Sequence, residues 1–202
     1  QRLISALILS IGIVSVIFLL PSNYLIIFIL LLTCVSLLEF LALRFSTLTT
    51  ILFVCFSLAL FYFSSFPGLN KIFIGFSVFT YLVLFFLIIS FPVSKPFLQR
   101  NFIWLTSGVA IHLGFFASLY FLISQDELVL KHFGMDITNR TTLLIIVLIS
   151  VMMDSFAFFG GKRFGKSKLL QNVSPNKTIE GFLIAMILTP IIILVTTSTL
   201  VE

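Results

Sequence analysis

Apolar residues fill this chain in long unbroken runs, and polar residues collect at the breaks between them. A bilayer core about 30 Å thick takes roughly 20 residues of helix, and a helix satisfies its own backbone where water is absent, so such runs predict membrane spans. Seven are predicted, over residues 3–20, 24–43, 47–63, 72–91, 102–123, 141–159 and 175–200. Pro21-Ser22-Asn23 closes the first, Ser64 to Lys71 with Pro67-Gly68 reads as a loop, and Pro92 and Pro96 stop the fourth. Residues 125–140 read as a mixed-charge loop and 160–174 as a basic loop. The predicted fold class is therefore all-α, a polytopic transmembrane helix bundle forming a single membrane domain over 1–202, with no internal repeat.

Composition sharpens this. The chain is 60% hydrophobic and 9% charged, with a mean hydropathy of +1.25, whereas soluble domains carry about 25% charged residues. A soluble domain is excluded, and the 26 phenylalanines suit a lipid-facing surface. Cys34 and Cys55 sit in apolar runs without metal or redox spacing, and read as packing residues. Lys and Arg in short loops set orientation. The side bearing the N-terminus holds nine (Arg2, Arg44, Lys95, Arg100, Lys162, Arg163, Lys166, Lys168, Lys177) and the other side three (Lys71, Lys131, Arg140). That asymmetry predicts an N-terminus and a basic loop in the cytoplasm, in a membrane of the bacterial inner type.

One long polar passage interrupts the grease, from Asp154 to Gly181, with five cations, two carboxylates and four glycines. Of the acidic residues, Asp126, Glu127, Asp136 and Glu202 fall on the opposite side and read as solvated charges. Glu39, Asp154 and Glu180 are expected at similar depth near the cytoplasmic face, Asp154 about one turn before the end of its helix. An ionisable residue in a span is costly and marks function by default; for Glu39 and Asp154 the alternative is pairing with a nearby cation for packing. Clustered basic residues commonly fix topology or touch anionic headgroups. Here Gly160, Gly161 and Gly165 are interleaved with them, which lets backbone approach a ligand.

Ser174-Pro175 reads as an N-cap followed by the first helical residue, turning a phosphate-attracting helix start toward the cytoplasm. Lys177 and Gly181 would then share a face of that helix, flanked by Thr178 and Glu180, opposite a stripe of Ser150, Asp154 and Gly161. A carboxylate able to hold a divalent cation, facing lysines, suits a metal-bound nucleotide. Residues 160–167, GGKRFGKS, also satisfy the P-loop pattern, but a P-loop joins a strand to a helix in an α/β domain and this segment follows a membrane span. His112, mid-span, reads as a hydrogen-bonded histidine of the bundle.

Asp154-Ser155-Phe156-Ala157-Phe158, Gly161-Lys162, Phe164-Gly165-Lys166, Lys168-Leu169, Val173-Ser174-Pro175, Lys177-Thr178 and Glu180-Gly181 together resemble the central motif of the phosphatidate cytidylyltransferases, or CDP-diacylglycerol synthases. Arg2-Leu3-Ile4-Ser5-Ala6 is similar to that family's opening and Leu38-Glu39-Phe40 to the acidic end of its second span. Phe158 stands where Tyr is usual, and Ser167 where His is frequent. A second signature of the family, a Lys-Asp pair followed by His-Gly-Gly and Asp-Arg-x-Asp, is not present, and the chain is expected to be truncated before it. The resemblance implies transfer of a cytidylyl group from CTP to phosphatidic acid, releasing pyrophosphate, with Mg²⁺ as the cofactor.

The candidate catalytic set is Asp154, Lys177 and Glu180, with Asp154 also the candidate metal ligand. Gly161, Lys162, Gly165, Lys166, Lys168, Ser174, Pro175, Thr178 and Gly181 are the candidate substrate-binding residues. Expected partners are CTP, phosphatidic acid and membrane lipids, with a homodimer left open and no nucleic acid. Two alternatives stand beside this reading: a CTP-dependent lipid kinase of the dolichol kinase type, and an anion transporter.

Overall fold

The computed structural model describes residues 2–124 and 138–201, and side chains within 9–124 and 138–197. Asp126, Glu127, Lys131, His132, Asp136 and Glu202, and the side chains of Arg2 to Ala6, lie outside the described residues. Contacts between Cα atoms divide the chain into two units, Gln1–Asp126 and Glu127–Glu202.

The first unit contains α1 (Arg2–Leu19), α2 (Ser22–Ala42), α3 (Thr47–Phe63), α4 (Pro67–Ile89), the short α5 (Lys95–Leu98) and α6 (Asn101–Ser124). Helix α6 is its centre, packing against α2, α3 and α4. Lipid gives no hydrophobic push between helices, so small residues that admit close backbones decide where they meet. Accordingly the buried face of α6 carries Ser107, Gly108, Ala110, Gly114 and Ala117. A β-carbon on Gly108 would meet the Phe40 ring of α2 at 2.6 Å, and one on Gly114 would meet Ser77 of α4 at 2.1 Å. Leu37 and Leu41 of α2 and Val54 of α3 form an apolar cluster beside this seam.

Polar groups tie the same helices. Asn70 donates from Nδ2 to the carbonyls of Ser64 (2.9 Å) and Ala117 (3.0 Å). His112 Nδ1 bonds the carbonyl of Gly108 at 2.7 Å, and its Nε2 pairs with the Ser36 hydroxyl at 3.0 Å, so both ring nitrogens are engaged within the bundle. Arg44, at the end of α2, donates to Asn101 Oδ1 (2.7 Å) and to the Gln99 carbonyl. Its guanidinium lies 5.7 Å from the centre of the Trp104 ring, which stacks on Phe40.

The second unit is a helix, a hairpin and a helix: α7 (Asn139–Phe164), β1 (Lys168–Leu170), β2 (Ser174–Thr178) and α8 (Ile179–Val201). Thr138 caps α7, its side-chain oxygen accepting from the amide of Thr141 at 3.2 Å.

Among the described residues five helices are long and apolar enough to cross a bilayer: Ser22–Ala42, Pro67–Ile89, Asn101–Ser124, Asn139–Phe164 and Ile179–Thr197. The protein is a helical membrane bundle. Its predicted first and third spans correspond to shorter apolar helices, Leu9–Leu19 and Thr47–Phe63. Three boundaries differ from expectation. Pro67-Gly68 is the first turn of α4 and not loop, because Pro at the start of a helix lacks only an amide that would be unpaired there. Helix α7 runs through Gly160 and Gly161 to Phe164, shortening the predicted basic loop. The last helix begins at Ile179 and not Pro175, because Ser174–Thr178 pairs as a strand with Lys168–Leu170.

Candidate active site

The polar passage folds around the point where α7 ends and α8 begins. Glycine inside a helix costs about 1 kcal/mol relative to alanine, and α7 carries two in succession because α8 lies against them. A β-carbon on Gly160 would be 2.9 Å from Ile184, one on Gly161 2.8 Å from Thr178 Oγ1, and one on Gly181 2.5 Å from the carbonyl oxygen of Ala157 and 2.9 Å from Gly161. Gly165 is similarly enclosed, by the Gly161 carbonyl and by Thr178. At Gly161 and Gly165 the side that a β-carbon would occupy is filled by protein, while Gly165 itself is exposed.

The predicted cap also moves. Ser174 does not cap the helix and Pro175 is not its first residue: both belong to β2, where a two-stranded hairpin leaves an edge that tolerates proline's missing amide. Thr178 is the cap, its Oγ1 accepting from the amide of Gly181 at 3.2 Å. The Ile179 amide donates to the Ser167 carbonyl at 3.0 Å. Two of the first three amides of α8 are therefore used within the protein, which weakens the expected appeal of this helix start to phosphate. Lys177 lies on β2 and so does not share a helix face with Gly181.

Glu180, in the first turn of α8, reaches back across the hairpin. Its Oε2 accepts from the amides of Lys166 (3.0 Å) and Ser167 (3.2 Å), and its Oε1 from Ser167 (3.1 Å). Lys168 stands opposite Thr178 in the sheet, with a bulge before Leu170 pairs with Ser174. The side chains of Lys162, Lys166, Lys168 and Lys177 are exposed, and among the described residues none of their ammonium groups has a protein partner. Arg163 lies over the Phe164 ring at 5.6 Å.

Asp154 is exposed on α7. Spacings of three and four along a helix put Ser150, Asp154, Ala157 and Gly161 on one face, and that face is the one Gly181 touches. Because α7 continues to Phe164, Asp154 stands about 15 Å from the helix end, at 1.5 Å per residue, and not one turn from it. Glu39 is exposed on α2, in the first unit. A hard divalent cation takes six or more oxygen ligands, and among the described residues no three His, Cys, Asp or Glu are grouped to hold one. Asp154 alone is not such a set.

Four exposed lysines thus stand on and beside a hairpin pinned by Glu180, where two apolar helices meet. The family model described as the cytidylyltransferase family matches residues 1–202. The chain belongs to the cytidylyltransferase family. Over 96 residues, 47% of this chain, it is 35% identical to a phosphatidate cytidylyltransferase of Haemophilus influenzae, covering 32% of that protein. Over 41 residues, 20% of the chain, it is 49% identical to a phosphatidate cytidylyltransferase of Aquifex aeolicus, covering 16% of it. These matches span a third or less of the relatives' lengths. No solved structure matches the chain.

The hairpin that carries Lys168 and Lys177 stands where a loop and a helix start are expected from the sequence. Ser167, through its amide and carbonyl, is a participant that the sequence does not mark, whereas Thr178, expected beside the helix start, is its cap.

Proposed function

We propose that this chain forms part of an enzyme that transfers the cytidylyl group of CTP to phosphatidic acid, making CDP-diacylglycerol and pyrophosphate. The observation that carries the reading is the cluster of four exposed lysines at the α7–α8 junction, in a chain that matches the cytidylyltransferase family along its whole length. An oxygen of the lipid phosphate attacks the α-phosphorus of CTP; the new P–O bond forms as the bond to the β-phosphate bridge breaks, and pyrophosphate carries away the electron pair. Both reactants are polyanions, so the protein's task is to neutralise charge and hold them in line.

Lys162, Lys166, Lys168 and Lys177 bind the phosphates of CTP or of the lipid. Gly161, Gly165 and Gly181 let the two helices close around Thr178, and Ser174 and Pro175 belong to the strand that presents Lys177. Mg²⁺, when bound, would offset phosphate charge, with Asp154 as one of its ligands. Nine cations against three support a cytoplasmic face for this site, and the two shorter apolar helices join the five longer ones as spans, giving seven.

The test is product analysis with the intact protein in phosphatidic acid-containing micelles. Radiolabelled CTP should give CDP-diacylglycerol with stoichiometric pyrophosphate. Release of CDP with a phosphorylated lipid would instead assign a lipid kinase, and no consumption of CTP would sink both.

A further inference from the structure

We propose that Glu180 is a positioning residue: its carboxylate, seated on the amides of Lys166 and Ser167, holds residues 165–168 so that Lys166 and Lys168 offer their ammonium groups together to substrate phosphates. The inference rests on the function proposed above and assigns this side chain a role distinct from the catalytic one expected from sequence.

Both oxygens of the carboxylate are occupied by backbone donors, Oε2 by Lys166 and Ser167 and Oε1 by Ser167, at 3.0 to 3.2 Å. Protonation would weaken these bonds, because hydrogen bonds from amides to an ionised carboxylate are about twice as strong as neutral ones. The rest of the segment points the same way. The Gly165 amide donates to the Gly161 carbonyl at 3.0 Å, closing α7, and the Ser167 carbonyl accepts from Ile179 at 3.0 Å. A β-carbon on Gly165 would strike Thr178, and Lys168 is registered opposite Thr178. Every residue from 165 to 168 thus meets Thr178, Ile179 or Glu180. Only Glu180 does so through a side chain that engages two successive backbone amides, 13 and 14 residues away in sequence. Without it, those amides fall back on water and the lysines between the helix end and the sheet lose a fixed direction.

Two measurements on the intact protein test this. Trypsin cleavage after Lys166 and Lys168, mapped by mass spectrometry without substrate, should accelerate at least roughly tenfold in Glu180→Ala, the loss expected for about one hydrogen bond to a charged group. Glu180→Gln, which keeps one accepting oxygen, should fall between Glu180→Ala and wild type. In steady-state assays Glu180→Ala should raise KM for CTP about tenfold while kcat changes less than about threefold, the signature of lost binding and not of lost chemistry.

A wild-type cleavage rate in Glu180→Ala overturns the positioning role, as does a collapse of kcat at unchanged KM, which would put the carboxylate among the reacting atoms. Failure of the underlying function reads differently. A wild-type protein that leaves CTP untouched overturns that reading, while the cleavage rates still decide whether Glu180 holds the segment.

Discussion

Asp154 presents a carboxylate on an apolar helix with no cation beside it among the described residues, and such a charge persists in a membrane protein only where it meets a partner that is not always bound or a wet cavity. It shares a helix face with Gly161, about 10 Å further along α7, which the start of α8 touches. In the function proposed above, Asp154 would be one ligand of Mg²⁺, and the ion would supply positive charge against the substrate phosphates. Asp154→Asn keeps the shape and removes the charge. In the intact protein it should lower kcat at least ~10²-fold, the scale seen when one electrostatic contact to a reacting group is lost. The melting temperature should stay at the wild-type value, because the exposed side chain bonds nothing in the fold; a wild-type rate would remove Asp154 from the chemistry. The position of Asp154 on an apolar helix was legible in the sequence, because a lone acid in an apolar run is conspicuous. The work of Glu180 was not, since its partners are backbone amides 13 and 14 residues upstream, and neither periodicity nor residue type reports a bond to main chain.

Helices and hairpin show where local signals succeed and where they mislead. Pro67 and Pro175 both depart from the boundaries that their sequence context predicts, in opposite senses. Pro67 opens α4, where an extended Phe66 precedes it and Asn70, one turn on, bonds the Ser64 and Ala117 carbonyls. Pro175 sits in β2, because Lys168–Leu170 offers a strand partner and Thr178 supplies a cap closer to the apolar run. Proline fixes φ near −65°, which suits a helix start and an edge strand alike; the deciding contacts are tertiary, so the residue alone leaves the choice open. Glycines divide the same way. Gly181 lies against backbone, where a β-carbon would come within 2.5 Å of the Ala157 carbonyl, whereas one on Gly75 would meet nothing within 4 Å. Gly181→Ala must push α7 and α8 apart, at a cost of about 1–3 kcal/mol, and should lower the apparent melting temperature in detergent along with activity. Gly75→Ala in the middle of α4 should leave both unchanged or slightly raised, since alanine is the better helix former. Equal melting temperatures for the two variants would refute the close crossing.

At the scale of the molecule, the membrane bundle was legible from composition, while the number of spans turns on two helices near the length limit. Helix α3 has 17 residues, or about 26 Å at 1.5 Å per residue, against a hydrocarbon core of about 30 Å. A shortfall of that size costs only fractions of a kcal/mol per Å, by local thinning of the bilayer, so α3 is long enough to cross if its buried face is matched. Thr50, Val54, Ser57 and Phe61 form that buried face, packed toward the bundle. The crossing can be read from three single cysteines in a background where Cys34 and Cys55 are replaced by alanine.

Lys71→Cys, at the start of α4, and Lys166→Cys, beyond α7, are separated by α4, α6 and α7, each long enough to span. They should therefore react with a membrane-impermeant maleimide from opposite sides, Lys166→Cys from the cytoplasm. Ser46→Cys, just before α3, then decides the count. Labelling from the same side as Lys166→Cys means that α3 crosses; labelling from the same side as Lys71→Cys means that α3 lies on one face. Reaction of Lys166→Cys from outside would invert the orientation derived from the nine-to-three cation asymmetry and place the lysine hairpin away from cellular CTP.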